Sequence, residues 1–311
     1  MVSRLGNSDI DVFPLCLGGN VFGWTADQAA SFAVLDGYAA GGGNFIDTAD
    51  TYSSFAPGNA GGESETIIGD WARARGNRDR VVIATKVAKW SERRGLSPQN
   101  VHAAIDDSLT RLQSEYVDLY YAHEDDPSVE TEAWYGAFDE LVKAGKVRAL
   151  GLSNFTAERV EEVIAIGERE GFAPIVALQP HYSLVERDEA DLLAASERLG
   201  LACIPYWALA SGFLTGKYRP GGASVDSPRA GQAGKYLENP HAAELLSALD
   251  QIAAAHSVPV ASVAIAWLRE QTAVVAPIAS ARNGEQLAEI MPGATLELSD
   301  EELASLTSAW A

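Results

Sequence analysis

The chain has 311 residues, 47% hydrophobic and 21% charged, which is ample material for a large packed core. Its 23 basic and 43 acidic side chains give a net charge of −20, which argues against a nucleic-acid partner, because phosphate backbones need a basic surface. No apolar run reaches the roughly 18 residues of a membrane span, and the opening residues lack the apolar core of a secretory leader, so cytoplasmic residence without a membrane partner is expected.

Residues 2–13 alternate around Gly6-Asn7 and predict a small hairpin ahead of the main fold. Leu15-Cys16-Leu17 is the first buried strand and ends at Gly18-Gly19-Asn20. Thr25 and Gln28 have the spacing of a capping box and open a helix, which Gly41-Gly42-Gly43 closes. Strand and helix then alternate. Strand Phe45–Asp47 leads to a helix near Ser64–Arg75, and strand Val81–Lys86 to one opened by Ser97-Pro98. Strand Val117–His123 leads to a helix near Glu132–Lys143, and strand Ala149–Leu152 to one capped by Thr156. Strand Ile175–Leu178 precedes helix Glu189–Leu199, and strand Ala202–Tyr206 begins the seventh unit. Val274-Val275-Ala276 is the eighth strand, followed by a helix from about Asn283 and a last one with the capping box Ser299…Glu302. Cys16 and Cys203 both sit in apolar runs and read as buried thiols, neither a disulfide framework nor metal ligands.

Eight apolar strands alternating with eight helices predict an α/β fold, a closed (β/α)8 TIM barrel with both faces of the sheet covered. The interval from Tyr206 to Val274 is long. It holds a Gly/Pro/Ser-rich stretch, Arg219–Pro240, and two helices near Ala242–His256 and Val260–Glu270, the pattern of a lid or a mobile segment. With no linker and no internal repeat, residues 1–311 read as one domain.

In such barrels the active site lies at the C-terminal strand ends. Three successive strands end at Asp47, Lys86 and His123, and Tyr52 follows Asp47 by five residues. Taken singly, Asp47 could be a turn former, and Tyr52 and His123 ordinary packing. Lys86 is different: a lysine closing an apolar strand needs a partner, and Asp47 on the neighbouring strand is the natural one. The Lys86 ammonium is then expected to lower the pKa of the Tyr52 phenol toward neutrality, making it a general acid for an alkoxide. His123 could donate a hydrogen bond to a carbonyl oxygen. The four groups suit reduction of C=O, with the hydride coming from a cofactor.

These residues also carry a resemblance. The Asp-x4-Tyr pair of FIDTADTY, the Lys of ATKV and the His of DLYYAH resemble, in order and spacing, the catalytic four of the aldo-keto reductases, and the likeness covers essentially the whole chain. It implies that Tyr52 is the proton donor, that Lys86 and Asp47 tune it, and that His123 orients the substrate. In GLSNF and LQPHYSL it implies that Ser153, Asn154 and Gln179 hold a nicotinamide carboxamide, with Tyr206 stacked on the ring. It sets Gly19, Asn20, Asp47, Ala208 and Leu209 near the cofactor, and the segment with Ser211, Gly212, Leu214 and Lys217 over its phosphates. Ser280 and Arg282 open the helix after strand eight, where barrels often bind phosphate, and are the candidates for an adenosine 2′-phosphate, with Gln286 and Glu289 nearby. NADPH is therefore the expected cofactor and a small carbonyl compound the expected substrate, bound by a monomer or weak homo-oligomer without a metal. Trp24, Trp90 and Tyr182 are expected as pocket walls.

The chain departs from the family pattern at Trp207-Ala208-Leu209, where Ser-Pro-Leu is usual, and at Ile290, where an Asn is usual. Two other functions stay open at this stage. One is a non-catalytic, NADPH-binding redox sensor. The other is a hydrolase pairing Asp47 or Asp50 with Glu124 or Asp125.

Overall fold

The computed structural model describes residues 2–222 and 225–310. Strands β1 (Ser3–Arg4) and β2 (Asp11–Val12) pair antiparallel, as the alternation around Gly6-Asn7 predicts. Gly6 has φ +54°, and a side chain there would run into the Val176 carbonyl and the Ala202 amide, so the hairpin lies against the starts of two barrel strands. Leu5, Ile10 and Val12 are buried with the inward side chains of the barrel and plug its lower end.

The barrel strands are β3 (Cys16–Gly18), β4 (Phe45–Asp47) and β5 (Val82–Val87). A small hairpin of β6 (Lys89–Trp90) and β7 (Arg93–Arg94) follows, then β8 (Val117–Ala122), β9 (Val147–Ser153), β10 (Ile175–Gln179), β11 (Ala202–Cys203) and β12 (Ile278–Ala279). Among the described residues they form one parallel sheet in the order β11-β10-β9-β8-β5-β4-β3-β12. The eighth strand, expected at Val274–Ala276, pairs with β3 only at Ile278–Ala279. Its earlier residues serve the other neighbour: Val274 bridges Cys203, and the Val275 amide donates to the Cys203 carbonyl at 3.0 Å. Pro277 has no N–H to give, and the stagger of a closed barrel makes one segment meet its two neighbours at different heights. The sheet thereby closes into a (β/α)8 barrel.

Helices α1 (Gln28–Ala40), α2 (Glu63–Arg75), α3 (Pro98–Leu112), α4 (Thr131–Lys143), α5 (Ala157–Glu170) and α6 (Ala190–Leu199) cover the outside. Ser97 and Thr156 cap α3 and α5 as expected, but the cap of α1 is Asp27, whose carboxylate accepts from the Ala30 amide at 2.8 Å. Thr25 is held in the preceding turn by its own amide, which donates to Val21. In the long interval, α7 (Ala230–Tyr236) arises inside the stretch read as a loop; residues 223 and 224 of that stretch lie outside the described residues. Then come α8 (Ala242–His256), α9 (Val260–Arg269), α10 (Gly284–Ile290), capped by Asn283, and α11 (Asp300–Ser308), which has the Ser299/Glu302 capping box. α8, α9 and α11 share a second apolar cluster beside the barrel. Among the described residues no single helix is long and apolar enough to cross a membrane.

Candidate active site

Strand alternation decides which β5 side chains face inward. Val82 and Ala84 join the barrel interior with Lys86 next in line, while Ile83 and Val87 pack outward on helices. Lys86 is fully buried, and its three ammonium protons have three acceptors. They are Asp47 Oδ2 at 2.7 Å, the Thr48 carbonyl at 2.7 Å and Tyr52 Oη at 2.9 Å. The Tyr52 hydroxyl donates in turn to Asp47 Oδ2 at 3.1 Å. Gln179 Nε2 donates to the other carboxylate oxygen at 2.9 Å. Tyr52 stays on its loop because the neighbouring Ser53, at φ +68°, donates its hydroxyl to the Phe22 carbonyl at 2.7 Å. The His123 ring stands edge-on to Tyr52, with centroids 6.2 Å apart.

The electrostatics differ from the expectation in one respect. Burial, reinforced by the Asp47 carboxylate, pushes the Tyr52 phenol well above its ordinary range, where a drop toward neutrality was expected. The Lys86 charge is matched by Asp47, so the phenol faces an ion pair in place of a lone cation. Burial pulls the Lys86 ammonium down against the pull of Asp47. Burial, helped by Lys86 and Lys89, holds the His123 imidazole well below its usual value, so the ring is neutral.

Beside these four groups lies a second polar chain. Asn154, at φ +59°, donates from Nδ2 to the His123 carbonyl at 2.7 Å and to Ser153 Oγ at 2.9 Å. The Tyr206 hydroxyl donates to Asn154 Oδ1 at 2.9 Å, and Ser153 Oγ to the Gln179 carbonyl at 2.9 Å. One face of the Tyr206 ring is covered by His181, at 5.2 Å.

All of this opens on a cavity of about 520 Å³ at the C-terminal strand ends. Its wall includes Asp47, Tyr52 and His123; Ser153, Asn154, Gln179 and Tyr206; and, farther along, Asn20, Ala208, Leu209, Ser211, Gly212 and Lys217. Ser280, Arg282, Gln286, Glu289 and Trp24 complete the set of expected residues that reach it.

The family model described as the aldo/keto reductase family matches residues 14–311. The chain belongs to the aldo/keto reductase family. It is 31% identical to norsolorinic acid reductase B of Aspergillus parasiticus, over 97% of this chain and 82% of that protein. It is also 31% identical to the Tas protein of Escherichia coli, over 97% and 95% of the two chains. With the uncharacterized oxidoreductase YrpG of Bacillus subtilis it shares 32% identity over 97% and 93%. These likenesses make it an oxidoreductase.

Five expected residues of this aldo/keto reductase lie off the cavity wall, the first being Lys86, fully buried behind Asp47 and Tyr52. Gly19 lies behind the wall, its amide bonded to the Asp47 carbonyl at 2.7 Å, and Leu214 is buried in the second apolar cluster. Trp90 packs on Gly61, where an added Cβ would sit 2.8 Å from the indole, and lies against the guanidinium groups of Arg93 and Arg111. Tyr182 turns away after Pro180 and stacks on Trp267 in the second cluster. Both aromatics follow the end of a barrel strand, where the alternation of the barrel sheet no longer sets the facing.

Other wall residues were not expected: Lys89, Trp207, Thr215, Pro228 and Arg229 among them. Arg229 starts α7 and lies over the Trp24 ring at 5.6 Å, so the Arg219–Pro240 segment supplies part of the wall. Lys89 stands three residues past Lys86, on the loop side of a strand end, and that position was the signal available for it. Trp207 has φ +62°. Of nine described non-glycine residues with positive φ, Ser53, Ala88, Asn154, Trp207, Ala210 and Ser211 line the cavity or adjoin a residue that does, so backbone strain concentrates at the rim.

The paired-carboxylate arrangement is not formed. Asp125 is held by Arg159 at 3.0 Å, Glu124 faces Lys89, and Asp50 is buried off the cavity with both oxygens unpartnered.

Proposed function

We propose that this protein reduces an aldehyde or ketone to the alcohol with NADPH, with Tyr52 as proton donor. The observation that carries the reading is the contact of one cavity-wall phenol with both members of a buried ion pair: 2.9 Å from Lys86 Nζ and 3.1 Å from Asp47 Oδ2. Relatives named norsolorinic acid reductase and aryl-alcohol dehydrogenase support chemistry between carbonyls and alcohols.

The cavity fits a phosphorylated dinucleotide. Lys217, Arg229 and Arg282 line one part of its wall, with no acidic partner within ion-pair distance among the described residues. Their chemistry suits a pyrophosphate and a 2′-phosphate, Arg282 with Ser280 being the choice for the latter. Ser153, Asn154 and Gln179 are the amide and hydroxyl groups available to a nicotinamide carboxamide. Bound NADPH supplies the hydride. Neutral His123 donates to the carbonyl oxygen and holds it beside Tyr52. The Tyr52 hydroxyl, kept protonated by its surroundings, gives its proton to the developing alkoxide, and the Lys86 ammonium stabilises the phenolate left behind. Asp47 keeps Lys86 charged and in place. Cytoplasmic residence belongs to the same reading, and two buried, unpaired cysteines support it.

The test is NADPH consumption with a panel of aldehydes and ketones, wild type against Tyr52→Phe. The variant should lose on the order of a hundred- to ten-thousandfold in kcat while its NADPH affinity barely moves. Undiminished turnover would remove Tyr52 from the role, and NADPH binding without any turnover would point to a sensor.

A further inference from the structure

The cations of the cavity wall fall into two groups. Lys217 senses the charges of Arg282, Glu289 and Arg229, and Arg229 in turn senses the Tyr52 phenol. Lys89 belongs elsewhere. It sits on β6 just past the end of β5, and the charges it senses are Glu124, Lys86 and Arg94. It is also one of the two cations that depress the His123 imidazole. The cavity wall is therefore positive along Lys217, Arg229 and Arg282, and positive again beside His123, where Lys89 faces Glu124, the next residue in the chain.

The proposed reductase reading gives the first group its ligand, the phosphates of the dinucleotide. The second group has none. The acidic residue within range, Glu124, has its nearest oxygen 4.0 Å from Lys89 Nζ, beyond hydrogen-bond distance. The Lys89 side chain is only 32% exposed, so its ammonium has lost part of its water without gaining a close anion. Burial pulls its pKa down against the attraction of Glu124, with the Lys86 and Arg94 charges adding to the fall, the condition that a closely bound anion would relieve. On a protein of net charge −20, a partly dehydrated lysine facing the substrate end of a cavity is not explained by surface solvation.

Resting on the reductase reading, we infer that the substrate is a carbonyl compound that carries a carboxylate, and that Lys89 binds that carboxylate while His123 and Tyr52 engage the carbonyl oxygen. An ammonium suits this task because it is a point charge on a flexible stem and tolerates carboxylates at different reach from the carbonyl.

The experiment compares kcat/KM, with NADPH, for a short series of ω-carboxyaldehydes of different chain length and for their methyl esters. In the wild type, at least one acid should exceed its ester by about tenfold or more, chiefly through KM, which is the size of a charge-assisted hydrogen bond. Lys89→Met should collapse the acid-to-ester ratio toward one, and Lys89→Arg should keep most of it. Because the ratio compares two substrates on the same enzyme, a general loss of activity through His123 or through folding cancels. Equal rates for acids and esters in the wild type, or an unchanged ratio in Lys89→Met, would overturn the inference while leaving the reductase intact. If no aldehyde of either kind is reduced, the reductase reading fails, and binding decides the anion site separately. Tryptophan quenching by a linear dicarboxylate should then be tighter than by its dimethyl ester in the wild type and not in Lys89→Met, and equal affinities in the wild type would overturn the site as well.

Discussion

Gln179 holds Asp47 from across the barrel, its Nε2 donating to Oδ1 at 2.9 Å between residues 132 apart in the chain. That bond occupies one carboxylate oxygen and turns the other toward Lys86 and Tyr52. Gln179→Leu should therefore leave Asp47 underpartnered and able to rotate. We expect kcat to fall by about tenfold, the size of one hydrogen bond to a charged group, together with weaker NADPH binding. Steady-state kinetics with a fluorescence titration of NADPH check both, and an unchanged kcat would show that Asp47 needs no such tether.

The neutral state of His123 makes a pH prediction. Its folded value lies well below the usual histidine value of about 6.5, so protonation, which would put a third positive charge beside Lys86 and Lys89, begins only at acid pH. The Tyr52 phenol lies well above its usual value of about 10 and keeps its proton on the alkaline side. The reductive kcat/KM should therefore show no inflection near the ordinary histidine value. Lys89→Met removes one depressing charge and should move the acid limb of the profile upward in pH. A profile that breaks near pH 6.5 in the wild type, as a solvated histidine would give, would contradict the burial of this ring.

Asp50 governs a stability prediction. Burial, with the Glu65 carboxylate, raises it from 3.8 to about 7, and neither of its oxygens has a partner. The folded protein thus holds a proton that the unfolded chain gives up. The stabilisation from this proton is complete below the unfolded value and is lost as pH rises through about 7. Asp50→Asn removes the titration and keeps the shape. The variant should match the wild type below about pH 4 and exceed it at about pH 7 by on the order of a few kcal/mol, the gain growing across that interval and staying level above it. Thermal unfolding at the two pH values tests this, and equal differences at both would mean that Asp50 is ionised throughout.

Arg282 bears on cofactor choice. Its guanidinium lies on the cavity wall at the start of α10, where Asn283 caps the helix. Arg282→Ala should weaken NADPH binding by about tenfold or more and leave NADH binding little changed, because the two cofactors differ only in the 2′-phosphate. Equal losses for both would assign Arg282 to the shared pyrophosphate.

Much of the architecture was legible without coordinates because it depends on local rules. Ser97, Thr156, Asn283 and Ser299 announce helix starts through side chains that reach only three residues ahead. The apolar strand runs show that the sheet is covered on both faces, and a lysine at the end of one of them calls for a partner. Local rules fail where a competing contact intervenes. Asp27 displaces Thr25 as the cap of α1, and Pro277 moves the β3 pairing of the last strand past Ala276.

The amino-acid order by itself determined the repeating βα pattern, its length and the four polar residues at the strand ends, because period and spacing are written along the chain. Only the tertiary structure decided which loop side chains reach the cavity. Trp90 and Tyr182 turn to other partners, while Lys89 and Arg229 enter, because beyond the barrel strands a side chain goes where distant segments leave room. It also decided the sign of the Tyr52 shift. A pKa is a sum over burial and every neighbouring charge, and the carboxylate and water exclusion that outweigh the Lys86 ammonium exist only once the barrel has closed.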